Sequence, residues 1–197
     1  LIVAGSLLAA PAQRFRRIVK VLVEKHLFRH RYDYREQWMA FADAIGRATR
    51  THGGPDLRLV KAMANITESE FGGLWQAIEG GERFRWSGGW NWKGETPGEL
   101  TLGSDLVGRM RTRNWIVDVP QAGAAGAEHL PECLLKEPGV WALVPLVHFG
   151  ELLGLVLLGR PPVMRPLDWE DFDMLRAAGR QVASTIAEER GRRALEE

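Results

Sequence analysis

The 197 residues contain a single cysteine, Cys133. One thiol excludes an intrachain disulfide and a cysteine-rich metal site, and nothing points to an oxidising compartment. A charge excess of either sign is also missing. The formal net charge is +1, so the chain lacks the global electrostatic signature of a nucleic-acid binder. Residues 1–10 are apolar but fall short of the ~20 residues that a bilayer span requires. They do not make a signal peptide, because the basic residues follow the apolar run instead of preceding it.

Catalytic sets are scarce as well. Ser104 and Ser184 have no His/Asp partners at a recognisable spacing. The five histidines (His26, His30, His52, His129 and His148) are scattered. His26 and His30 have the i, i+4 spacing of a metal pair, but Glu24 and Asp33 belong on other helix faces and complete no ligand set. A solvated basic face accounts for that pair. Cys133 reads as a small apolar filler in a long loop.

What is present is a soluble-domain composition, with 45% apolar and 26% charged residues, and a length suited to one domain with an extra helix or two. Charge is uneven along the chain. Between residues 14 and 37 there are eight Lys/Arg against three Asp/Glu, and between residues 168 and 197 eight acids against five Arg. Residues 13–30 predict a basic amphipathic helix with Ile18, Val21 and Leu22 on one face. Two readings fit it: a helix lying on an anionic membrane surface, or a connecting helix with a solvated face. Two also fit residues 1–10: the end of a transmembrane helix flanked by Arg14, Arg16, Arg17 and Lys20, or a segment folded against the domain. The chain begins at Leu, so it is expected to be a fragment of a longer protein.

Periodicity predicts the remaining elements. A helix starts near Asp33 with Trp38, Phe41, Ala42 and Ile45 as its apolar stripe. A break at residues 51–55 follows, and then a short helix with Asp56 as N-cap. Residues 71–78 and 83–90 predict a hairpin, residues 104–113 a helix, and residues 115–119 a strand. Residues 120–138 form a long connection, and such connections tend to be functional. Residues 140–147 and 152–158 form the clearest hairpin. Asp168 caps a long final helix with Trp169, Phe172, Leu175, Val182 and Ile186 on one face. Helices followed by mostly antiparallel strands and an exit helix make an α+β fold, a sheet flanked by helices.

This order resembles that of a GAF domain, of the PAS/GAF superfamily. The residues make the likeness more specific: KHLFRHRYDYREQW at 25–38, GLW at 73–75, WIVD at 115–118, LVPL at 143–146 with LG at 153–154, then LDWED at 167–171 and AGRQVAS at 178–184. Together they resemble the GAF region of membrane sensor histidine kinases of the PEP-CTERM (exosortase-associated) system. The resemblance covers the chain from about residue 14 and is weakest over residues 91–113 and 120–138.

The resemblance implies a division of the chain. Residues 1–12 are the end of a transmembrane helix or an apolar lead-in, 13–34 a basic juxtamembrane helix, 35–187 the GAF domain, and 188–197 the start of a signalling helix toward a kinase core. It implies a two-component signalling role at the cytoplasmic face of a bacterial inner membrane. It further implies a homodimer through the N- and C-terminal helices, a kinase core in the parent chain acting on a response regulator, and no nucleic-acid partner. No phosphoacceptor histidine motif and no Gly-rich ATP lid are present, so the fragment is expected not to be an enzyme. No cofactor is expected, and the ligand is unknown. Cys133 is followed by Leu134 and not by the histidine usual at bilin attachment sites. The single thiol also argues against methionine-sulfoxide reductase chemistry, and the NKxxxFxxxDE pattern of cyclic-nucleotide GAF domains is absent.

Eight tryptophans are the unusual feature. The face under the long loop is where GAF ligands bind, so the resemblance makes Trp75, Trp86, Trp90, Arg109, Trp115, Trp141 and His148 the candidate ligand-binding residues, with Trp92 beside Trp90 at the loop entrance and Arg111 and Arg113 as further polar contacts. Aromatic residues would line a pocket and the polar ones would meet an anionic group. The competing expectation places the tryptophans in the core and the arginines in solvent. A small-molecule sensor predicts an enclosed cavity. A ligand-free relay and dimerisation module predicts a filled one.

Overall fold

The computed structural model describes residues 38–46, 55–78, 81–120, 130–131, 139–162 and 167–196, together with residues 122 and 134. The expected membrane end at 1–12, the whole of the expected juxtamembrane helix at 13–34, His26, His30, His52, His129 and Cys133 lie outside the described residues. By contacts the chain divides into Leu1–Met39 and Ala40–Glu197.

Helix α1 (residues 38–46) buries Phe41 and Ile45, two positions of the expected stripe. Helix α2 (Pro55–Ile66) begins one residue earlier than its sequence suggested. Proline suits a first helical position because its fixed φ is helical and its missing N–H would have no helical partner. Asp56 therefore sits inside the helix and is not its cap. Strands β1 (Gly72–Ala77) and β2 (Arg83–Trp90) form the expected hairpin. A two-residue β3 (Leu100–Thr101) pairs with the start of β2. Helix α3 (Ser104–Arg113) ends at Asn114, whose φ of 48° is the left-handed stop that asparagine tolerates.

The strand expected over residues 115–119 shrinks to β4 (Val117–Asp118). Trp115 stays outside it and 44% exposed. Strands β5 (Val140–His148) and β6 (Glu151–Gly159) make the long hairpin. Its two-residue turn places Phe149 at φ 46° and Gly150 at φ 81°. Two positive φ values match the right-handed twist of the flanking strands. The final helix, α4 (Trp169–Glu196), is continuous for 28 residues. A reciprocal cap starts it. The Asp171 N–H donates to Asp168 Oδ1 at 2.9 Å, and the Asp168 N–H donates to Asp171 Oδ2 at 3.0 Å.

The sheet has the order β3-β2-β1-β6-β5-β4, with every neighbouring pair antiparallel. This is the α+β arrangement expected from the sequence. Pro145 sits inside β5 without breaking the sheet, because β4 pairs only with Ala142 and Leu143 and leaves that side of β5 open beyond them. One face of the sheet packs on α2 and α4. A Cβ on Gly72 would lie 2.8 Å from Val60 of α2, and one on Gly179 of α4 would lie 2.9 Å from the Pro145 carbonyl of β5. The opposite face carries Trp75, Phe84, Leu143, Leu155 and Leu157 against Leu106, Val107 and Met110 of α3. The sheet is therefore apolar on both sides, which is why β5 and β6 read as near-continuous hydrophobic runs. No helix of the described residues is long and apolar enough to cross a membrane.

Candidate functional site

Three bulges decide where side chains point. On β2 the register passes from Gly88 to Trp86 opposite Leu74 and Trp75, leaving Ser87 as the extra residue. On β6 it passes from Gly154 to Leu152 opposite Leu146 and Val147, leaving Leu153 extra. On β5 it passes from Val140 to Ala142, leaving Trp141 extra. A bulged residue drops out of the ladder and its strand bends there.

The β2 bulge divides the tryptophans. Trp86 stands opposite Trp75, and both turn toward α3. Trp90 stands opposite Gly72, whose missing Cβ faces α2, so Trp90 lies on the other side of the sheet. Trp75 and Trp86 are joined by Trp92 of the loop entrance. The ring centroids lie 4.7 Å apart for Trp75–Trp86, 5.1 Å for Trp86–Trp92 and 6.1 Å for Trp75–Trp92. Phe71 meets Trp92 edge-on at 5.5 Å. Glycines make the cluster possible. A Cβ on Gly73 would lie 2.5 Å from the Trp86 ring, and one on Gly89 would lie 2.8 Å from it. Trp92 Nε1 donates to the Glu95 carbonyl at 3.1 Å. Trp75, only 1% exposed, has no hydrogen-bond partner for its Nε1 among the described residues. An orphaned buried donor costs about 1–3 kcal/mol, so the cluster is held by ring packing against that penalty.

The other candidates do not join it. Arg109 is exposed on α3, and Trp115 follows α3 in open surface. Trp141 is buried at the β5 bulge but outside the Trp75 cluster. His148 closes β5 with its ring against Phe149 at 4.4 Å. The face under α3 is thus filled by apolar side chains over the described residues.

A second constellation arises from residues the sequence did not single out. Arg190 of α4 donates from Nη2 to Gln76 Oε1 at 3.1 Å and to the Leu153 carbonyl at 3.3 Å. Gln76 Nε2 in turn donates to Ser87 Oγ at 3.1 Å. Two of the three bulges supply the partners: Ser87 and Leu153 are both released from the ladder on either side of Gln76. Beside Arg190 a cleft of about 790 Å³ opens at the end of the sheet, between α3, the β1–β2 turn and the β5–β6 turn. No carboxylate pairs with Arg190 among the described residues. Among the described residues, a shifted carboxyl lies elsewhere, at Glu99. The hydrogen bond from Arg83, opposed by desolvation and aided by Arg85, lowers its carboxyl below the ordinary value.

Sequence comparison finds no matching family model and no matching curated protein. Comparison of folds is informative. The GAF domain of an Acinetobacter phosphoenolpyruvate-protein phosphotransferase superposes with a TM-score of 0.60 at 16% identity, over 79% of this chain and 95% of that one. The GAF domain of a phosphoenolpyruvate-protein phosphotransferase (ptsP) from Coxiella burnetii gives 0.58 at 15% identity, over 79% and 98%. The GAF domain of a putative sensor histidine kinase from Pseudomonas syringae pv. tomato gives 0.54 at 12% identity, over 86% and 97%. Strand order, helix placement and these likenesses agree, and the chain has the GAF fold.

Proposed function

We propose that this chain is the sensory GAF module of a membrane sensor histidine kinase of the PEP-CTERM type, and that it is not an enzyme by itself. It binds a small ligand and reports its state to a kinase core through α4. The module works as a homodimer through its N- and C-terminal helices at the cytoplasmic face of the inner membrane, and the core passes phosphate to a response regulator. The observation that carries this reading is Arg190, which ties the outer half of α4 to β1 and β6 at the rim of an open cleft. A ligand there would have a physical route to the helix, because it acts on the same guanidinium that holds the helix down.

The test is autophosphorylation of the parent kinase in vesicles, comparing wild type with Arg190→Met. The expected result is an altered basal rate with the domain still folded by circular dichroism. An unchanged rate and an unchanged response to cell extract would sink the reading.

A ligand-free relay and dimerisation module is the second reading, supported by the apolar filling of the face under α3. Native mass spectrometry separates the two. A releasable stoichiometric mass favours the sensor, and a clean dimer without added mass favours the relay.

A further inference from the structure

We propose that the cleft at the end of the sheet binds a small zwitterion, a molecule carrying both an amine cation and a carboxylate, and that Arg190 reads its occupancy. The second half deepens the sensory reading above and rests on it. The first half rests on the cleft alone.

One face of α3 lines the cleft: Ser104, Val107, Gly108 and Arg111, at the i, i+3, i+4, i+7 spacing of a single helical stripe. Gly108 is the informative member. Glycine weakens a helix interior relative to alanine, so its presence there asks for a reason. Packing is not the reason, because a Cβ at 108 would meet nothing within 4 Å. Gly179 on α4 is the contrast, since there the neighbouring strand forbids a Cβ. What Gly108 leaves is bare helical backbone facing about 790 Å³ of open space, which allows a ligand to approach closely.

The charges around that space have a pattern. Glu82 and Glu151 come from the two turns, Arg111 from α3 and Arg190 from α4. These are two carboxylates and two guanidiniums, and among the described residues no ion pair joins any of them. A simple anion would meet repulsion from both glutamates, and a simple cation from both arginines. A molecule bearing one charge of each sign satisfies the rim on both sides. The carboxylate end belongs with the guanidiniums of Arg111 and Arg190, and the amine end with the carboxylates of Glu82 and Glu151. Its arrival gives Arg190 a charged acceptor in place of the neutral oxygens of Gln76 and Leu153, and so changes the hold on α4.

The experiment is thermal unfolding of the full 197-residue chain with a panel of free α-amino acids, using acetate and methylamine as the separated charges. The expected result is a rise in Tm with at least one amino acid and none with acetate or methylamine. Gly108→Leu should cover the bare backbone at 108 and obstruct a ligand's approach to it, abolish that rise and raise the Tm of the ligand-free protein. Gly108→Ala should raise the ligand-free Tm with least disturbance, and Arg111→Glu should abolish the ligand response. The proposal is overturned if no amino acid moves the Tm, if acetate or methylamine alone reproduces the shift, or if the shift survives Gly108→Leu. It is equally overturned if both glycine variants lower the ligand-free Tm. Kinase assays keep the two failures apart. A Tm shift without any change in parent kinase output removes the sensory reading and keeps the site. Output that responds to Arg190→Met with no Tm shift removes the site and keeps the sensory reading.

Discussion

Arg190 and Gln76, 114 positions apart in sequence, meet at 3.1 Å and join the exit helix to the first strand of the sheet. Beyond Ile186 most of α4 is polar and half-exposed or exposed, and this bond and the one to Leu153 help hold its last turns against the domain. Arg190→Met keeps the apolar stem and removes the donors. It should cost no more than about 1 kcal/mol globally, while the amides of residues 187–196 lose hydrogen-exchange protection. Unchanged exchange in that segment would show that helical propensity alone orders it.

The two helical glycines should respond in opposite directions to the same substitution. Gly179→Ala drives a methyl to 2.9 Å from the Pro145 carbonyl and should destabilise by about 1–3 kcal/mol. Gly108→Ala adds a methyl in open space and should stabilise by about 0.5–1 kcal/mol. Urea midpoints at constant m-value measure both.

Phe149 occupies the left-handed region at φ 46° and is 95% exposed. A bulky L-residue is disfavoured there by roughly 1–2 kcal/mol, and asparagine much less. Phe149→Asn should therefore raise the melting temperature. A fall would mean that the ring contact with His148 outweighs the backbone strain.

The Glu99 carboxylate holds two arginines of β2, Arg83 at 2.6 Å and Arg85 at 3.3 Å. Its folded-state pKa lies below the ordinary value of 4.5, held down first by the hydrogen bond from Arg83. The sign follows: its contribution is complete above the unfolded value and disappears as pH falls through the lower folded value. Glu99→Gln should flatten the acid side of the stability curve and leave neutral pH nearly unchanged, because exposed pairs contribute little. Chemical denaturation across that acid range checks it.

Much of the fold was legible because periodicity carries it. The β5–β6 hairpin, α3 and the Asp168 cap follow from apolar runs, a helical stripe and an acidic start. The exceptions have local causes. Trp115 to Val119 looked like a strand because its residues favour β structure, but only Val117 and Asp118 find partners on β5. Trp86 and Trp90 are four apart and, by simple alternation, share a face. The extra residue Ser87 turns them to opposite sides. No residue type announces that bulge. The Arg190 tether was hidden for another reason, since its partners are long-range in sequence and depend on two bulges at once. Trp92 was legible as an aromatic at the loop entrance, but its contact with Trp75 and Trp86 depends on Gly73 and Gly89, which leave the room that the rings occupy.

Three indoles with centroids 4.7, 5.1 and 6.1 Å apart do not absorb light independently. At such spacing their transitions couple, and the coupling depends on mutual angle as well as on distance. The cluster spans β1, β2 and the loop after β2, so a shift between those segments would alter both. The domain therefore carries its own optical gauge: a circular-dichroism couplet from the tryptophan trio that would follow conformational change without any added label.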